Sequence, residues 1–210
     1  MASNVKSRLF ISNTIILLSL AIPFNVAHAF KNELSVFSGY RAGGNFEDIN
    51  TGAMVKTDEG SAYGVIYDGY LDKDSAIEVI YSKQSTNLRP GGTFTGSKVF
   101  DLDIEYFHFG GIRYYPAENY SGYVVGTMGA THFQPDRAGL DSETRFSMAF
   151  GGGARIPVTK ALGLRFDVRG YGTLFKGSGA VFCSNGVCDV RVSGSSIWQI
   201  EMFAGLSLGF

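Results

Sequence analysis

Most of the features by which a sequence announces its chemistry are scarce in this 210-residue chain. It has 2 cysteines, 5 prolines, 1 tryptophan and 3 histidines, and its formal net charge is −1. With no basic excess and no run of like charge, nucleic acid is not an expected partner. No composition shift and no Pro/Ser-rich linker divides the chain, so a single folded domain is expected. The longest apolar stretch, Ile15 to Ile22, falls well short of the roughly 20 residues a membrane-spanning helix needs. Glycine is abundant, yet no Gly-Lys-Ser/Thr follows Gly43-Gly44, Gly110-Gly111 or Gly151-Gly152-Gly153, which argues against a phosphate loop. These glycines suit a curved strand wall instead. Neither a cofactor nor a metal is called for.

What is present is alternation. The chain ends in Trp198, Ile200, Met202, Ala204, Leu206, Leu208 and Phe210, with Gln199 and Glu201 on the opposite face. This is the pattern of a lipid-facing strand. A strand can cross hydrocarbon only within a closed barrel, because every backbone N–H and C=O must find a partner there. At the other end, Lys6 and Arg8 precede the apolar stretch, and Ala27-His28-Ala29 puts small residues where a signal peptidase cuts. Residues 1–29 therefore read as a secretory signal peptide and residues 30–210 as the exported domain.

Alternating segments are predicted over residues 32–44, 61–71, 75–84, 98–114, 121–132, 144–156, 161–174 and 192–210. The connectors run long, short, long, short. Eight strands with short turns at one end and long loops at the other predict an eight-stranded antiparallel up-and-down β-barrel with both termini in the periplasm. Cys183 and Cys188 bracket a Ser-Asn-Gly-Val turn in the last loop. In an exported chain such a pair is expected to form a disulfide that shapes the loop tip.

Parity assigns the faces. In the seventh segment Leu162, Leu164, Phe166 and Val168 alternate with Arg165, Asp167, Arg169 and Tyr171. The apolar set is assigned to lipid and the polar set to the lumen. By the same rule Phe100, Leu102, Ile104 and Tyr106 face lipid, whereas Asp101, Asp103 and Glu105 face inward. Tyr63, Tyr67, Tyr81, Tyr114, Tyr123 and Trp198 fall at the bilayer interfaces, and His108 falls on the lipid side. The expected lumen set is Arg41, Asp68, Glu78, Asp101, Asp103, Glu105, Arg113, Arg145, Arg155, Arg165, Asp167, Arg169 and Glu201. A barrel this narrow is filled by side chains, so these charges are expected to neutralise one another as a polar core.

The Ala27-His28-Ala29 signal end, the early Gly39-Tyr40-Arg41-Ala42-Gly43-Gly44 segment, the strand and loop rhythm and the Gly205-Leu206-Ser207-Leu208-Gly209-Phe210 terminus together resemble the small outer-membrane β-barrel family of opacity proteins and the transmembrane domain of outer membrane protein A. The resemblance implies residence in the outer membrane of a Gram-negative cell. It also implies contact with lipids and lipopolysaccharide, and recognition of Leu206, Leu208 and Phe210 by the barrel-assembly machinery. The expected role is non-enzymatic, structural or surface-interacting, through four extracellular loops. A narrow ion or small-solute pore is the alternative. Some similar barrels modify lipid A with a His and a Ser. Here His132 has Asp136, Ser142 and Glu143 downstream, but the His-x-Ser spacing of the deacylases is missing and no catalytic residue is assigned. The chain has no long hydrophobic extracellular extension of the outer membrane protein W type.

Overall fold

The computed structural model describes residues 32–48, 52, 54–90, 100–136, 140–175, 180–184, 187–192 and 196–210. The expected signal peptide, with Ala27 and Ala29, lies outside them, as do the side chains of Cys183 and Cys188. The described chain is all strand: β1 (Asn32–Gly43), β2 (Asn45–Asp48), β3 (Met54–Thr57), β4 (Gly60–Tyr70), β5 (Ser75–Pro90), β6 (Phe100–Pro116), β7 (Ser121–Asp136), β8 (Glu143–Pro157), β9 (Leu162–Leu174), β10 (Ala180–Ser184), β11 (Val187–Val192) and β12 (Ser196–Gly209).

Eight of these strands form the barrel, in the order β1-β4-β5-β6-β7-β8-β9-β12, with β12 returning to β1. Every pairing is antiparallel. Stepping between partners from Ala42 through Ile200, Gly170, Phe150, Gly126, Gly111, Ile77 and Gly69 leads back to β1 at Asn32, ten residues from the start. Closure with that stagger requires tilted strands, by about 40° for barrels of this kind. The seam holds to its last residue: Asn32 and Phe210 exchange both backbone hydrogen bonds, each 2.9 Å.

One end carries three four-residue turns, between β4 and β5, β6 and β7, and β8 and β9. In the first, Asp72 accepts from the Asp74 amide at 2.8 Å and from the Ser75 hydroxyl. Those bonds, the Ser75 hydroxyl foremost, hold its carboxyl below the usual carboxylate range. The other end carries the long connectors, and two of them are not irregular. The first contains β2 and β3, and the last contains β10 and β11. β11 pairs with β2 and β3 pairs with the end of β5, so the two hairpins raise one side of the wall. Alternation was too brief in these segments to signal strands. Gly43 and Gly44, at φ of 100° and 98°, make the bend from β1 into β2 that a residue with a side chain would resist.

The outer surface of the barrel is apolar over the membrane-spanning length. Leu34, Val36, Val65, Phe107, Phe109, Val124, Met128, Phe146, Phe150, Phe166, Val168, Ile200, Met202 and Leu206 are all exposed. Tyr40, Tyr63, Tyr67 and Trp198 share that surface. Trp198 lies over Gly172, where a Cβ would come within 3.0 Å of the indole ring.

Candidate functional site

The inward residues of the membrane-level strands form two ionic clusters. Near the middle, Arg41 on β1 donates to Glu201 Oε2 on β12 from Nη2 (2.9 Å) and Nε (3.2 Å). Its Nη1 reaches the Ile104 carbonyl at 3.3 Å, and Ser82 donates to Glu201 Oε1 at 3.0 Å. The guanidinium carbon lies 4.7 Å from the Tyr106 ring centre. Cation–π attraction adds to the charge pairing there.

Below it, Arg165 and Arg169, two turns of the pleat apart on β9, cross the lumen to the opposite wall. Arg165 donates to Asp68 on β4 (2.7 Å) and Glu78 on β5 (2.5 Å). Arg169 donates to Glu78 (2.6 Å) and to both oxygens of Asp167 (2.6 and 3.1 Å). Tyr123 donates to Asp167 at 2.7 Å and accepts from Arg165 Nε at 3.0 Å. Arg41, Asp68, Glu78 and Glu201 are 0% exposed, and Arg165 and Arg169 are 1% exposed. Among the described residues these side chains present almost no surface to solvent. The fork of arginine suits these bidentate, desolvated pairings better than an ammonium would.

Most of the expected lumen charges are therefore inside and in contact: Arg41, Asp68, Glu78, Arg165, Asp167, Arg169 and Glu201. Arg155 also points inward, pairing with Glu33 near the end of the barrel that carries the short turns. Arg145 pairs with Glu143 towards the loop end, over Phe175.

β6 overturns the rest. Its alternation is unbroken, but Leu102, Ile104 and Tyr106 are buried inside, while Asp101, Asp103, Glu105 and Arg113 lie on the outer face. Lys83 holds Asp103 at 2.7 Å and Glu105 at 3.0 Å on the outer wall, and Arg113 reaches Asp74 at 3.7 Å beside the short turns. The cause is length. β6 outlasts the bilayer, and above it water bathes the outside, so the apolar face turns inward as in a soluble barrel. Phe107 and Phe109 are its lipid-facing residues.

Tyr114 and Tyr123 are likewise inside, packed edge to face at the short-turn end with Ile112, Val125 and Ala76, rather than at an interface. His108 is inside too, bonded to Ser147 Oγ at 2.7 Å and to Thr127 Oγ1 at 3.2 Å, so its expected lipid-facing position was wrong. At the loop end, Leu102, Ile104, Phe133, Phe175 and Ile197 close over the ionic clusters, with Leu140 packed against them. Glu33, Ser82 and Tyr106 were missed as members of the inner network; Glu33 shares the parity of Arg41 and could have been read from it.

His132 sits on the outer wall with its Nδ1 2.8 Å from the Thr144 hydroxyl, while Glu143 engages Arg145. Among the described residues, no three His, Cys, Asp or Glu side chains converge as a metal site would require.

A family model for the outer membrane protein beta-barrel domain matches residues 16–191. The chain belongs to the outer membrane protein beta-barrel family. No curated protein sequence matches it, but solved structures share the fold of this beta-barrel. It is similar to Neisserial surface protein A, at 11% identity and a TM-score of 0.53, over 86% of this chain and 97% of that one. It is similar to OprG from Pseudomonas aeruginosa, at 9% identity and 0.53, over 87% and 96%. Outer membrane protein AlkL, solved in lipid bilayers, gives 14% and 0.54, over 100% and 97%. Likeness at these identities establishes the beta-barrel and leaves its role to the residues.

Proposed function

We propose that this outer membrane protein beta-barrel is a non-enzymatic, non-conducting anchor that carries a built-up extracellular surface, with both termini in the periplasm. The observation that carries the reading is the complete burial of the two ionic clusters beneath an apolar cap. A static barrel filled in this way is a post. The raised wall made by the β2–β3 and β10–β11 hairpins is then the part available to partners. The register sets Cys183 directly opposite Cys188 across β10 and β11. Opposed residues in an antiparallel pair lie about 4.5–5.5 Å apart at Cα, within the range a disulfide accepts. Such a staple would hold the hairpin in one shape in the oxidising space outside the cell.

The outward Leu206, Leu208 and Phe210, all exposed, suit both lipid contact and reading by the assembly machinery. Lipopolysaccharide would surround the loop-end rim. The deciding measurement is single-channel conductance of the refolded protein in a planar bilayer, with heat-modifiable gel mobility showing that the barrel is folded. A folded, silent barrel is expected. Discrete openings that change when Arg169 or Glu78 is neutralised would overturn the reading in favour of a narrow pore.

A further inference from the structure

The buried charges do not balance. Arg41 answers Glu201 and Arg155 answers Glu33, one to one. Arg165 and Arg169 face three carboxylates, Asp68, Glu78 and Asp167. Among the described residues the inner network holds one acid too many. Two buried oxygens mark where the surplus sits: Asp68 Oδ1 and Glu33 Oε1 have no hydrogen-bond partner. They belong to residues directly opposed in the β1–β4 ladder and on the same inner face, so their charges repel. Asp68 is fully buried and Glu33 is 1% exposed, which leaves no solvent to disperse the excess. An uncompensated carboxylate in such surroundings is far more costly than one that has gained a partner.

We infer that Glu33 and Asp68 bind one positive charge between their unpaired oxygens, a proton or a small monovalent metal ion, taken from the periplasmic end of the lumen. The other oxygen of each carboxylate is already engaged. Arg165 and Tyr114 occupy the other oxygen of Asp68, at 2.7 and 3.4 Å, and Arg155 occupies the other oxygen of Glu33. Glu78 on β5 and Tyr70 on β4 complete the charged and titratable groups that face the pair. Arg155, 24% exposed, provides the side from which the ion arrives. Bound there, a single charge makes the inner network neutral and gives both unpaired oxygens a partner. The site is independent of whatever the extracellular hairpins contact.

The test follows the folded fraction of the mature chain in lipid vesicles through urea titrations, read by heat-modifiable mobility. In one series tetramethylammonium, whose methyl groups keep its charge away from a carboxylate oxygen, is the only salt cation, and the pH is raised from about 6 to about 9. A proton held only by the folded state makes the folding constant fall about tenfold per pH unit, from the ordinary carboxyl range up to the pH at which the folded state releases it, and level off above that. In the other series the pH is held at about 9 and Na+ or K+ replaces tetramethylammonium at fixed ionic strength. A bound metal ion raises the folding constant about tenfold for each tenfold rise in its concentration above the dissociation constant. Either dependence supports the site if it disappears in Asp68→Asn and again in Glu33→Gln. The second variant keeps the Asp68–Arg165 contact, so it reports even if the first folds poorly. A wild type indifferent to both series, or variants that keep the wild-type dependence, would overturn the inference.

Discussion

At the level of the ionic clusters this barrel keeps its charges inside and shows an apolar outer surface; above the outer rim, on β6 and β7, the charges lie outside and the core is apolar. No bulge or change of register separates the two regions. Glu105 and Phe107 are neighbours on one face of β6, yet one meets Lys83 at a wet surface and the other meets lipid. The rule that apolar residues face away from water holds throughout. What changes is which side the water is on.

The contrast can be broken most severely in the membrane-level core. Replacing Arg165 with Leu leaves Asp68, Glu78 and Asp167 with a single guanidinium. The expected loss is about 3–5 kcal/mol, or no folding, in urea titrations in vesicles. Leu102→Ala probes the upper core. Its cost should fall within the roughly 2–5 kcal/mol of buried Leu→Ala changes. Faster protease cleavage of the β2–β3 and β10–β11 hairpins, with the barrel still resistant, would place that damage in the upper region alone.

Asp103→Asn sharpens the comparison from the outside. A partly exposed pair with Lys83, still served by Glu105, should cost no more than about 1 kcal/mol. A loss of several kcal/mol would return Asp103 to the lumen and contradict the orientation of β6.

The architecture was legible because it rests on a period. β9 and β12 read correctly because their outer faces are apolar from end to end and their charged residues, Arg165, Asp167, Arg169 and Glu201, all fall on the other face. The same rule failed on β6, where Leu102, Ile104 and Tyr106 are as apolar as a lipid-facing trio and nothing local says how far up the strand the bilayer reaches. Tyr114 and Tyr123 deceived for a related reason. A tyrosine suits an interface and a packed, hydrogen-bonded interior equally well, and only the partners in the next strands decide. The hairpins β2–β3 and β10–β11 were hidden by brevity, because strands of four to six residues carry little alternation to count. The ionic clusters were legible as a set of residues but not as pairs. Whether Arg165 meets Asp68 or Glu201 depends on the stagger of the closed ladder, which no single strand contains.

The backbone exchange between Asn32 and Phe210 fixes an order of events. The first strand to leave the ribosome is the neighbour of the last, so its outer hydrogen-bonding edge has to wait for the whole polypeptide to be made. Neither the ladder nor the cross-lumen pairing of β9 with β4 and β5 can mature on a partial chain. A product lacking its final strand would offer two unsatisfied edges to hydrocarbon, and it would be rejected rather than inserted as a smaller barrel.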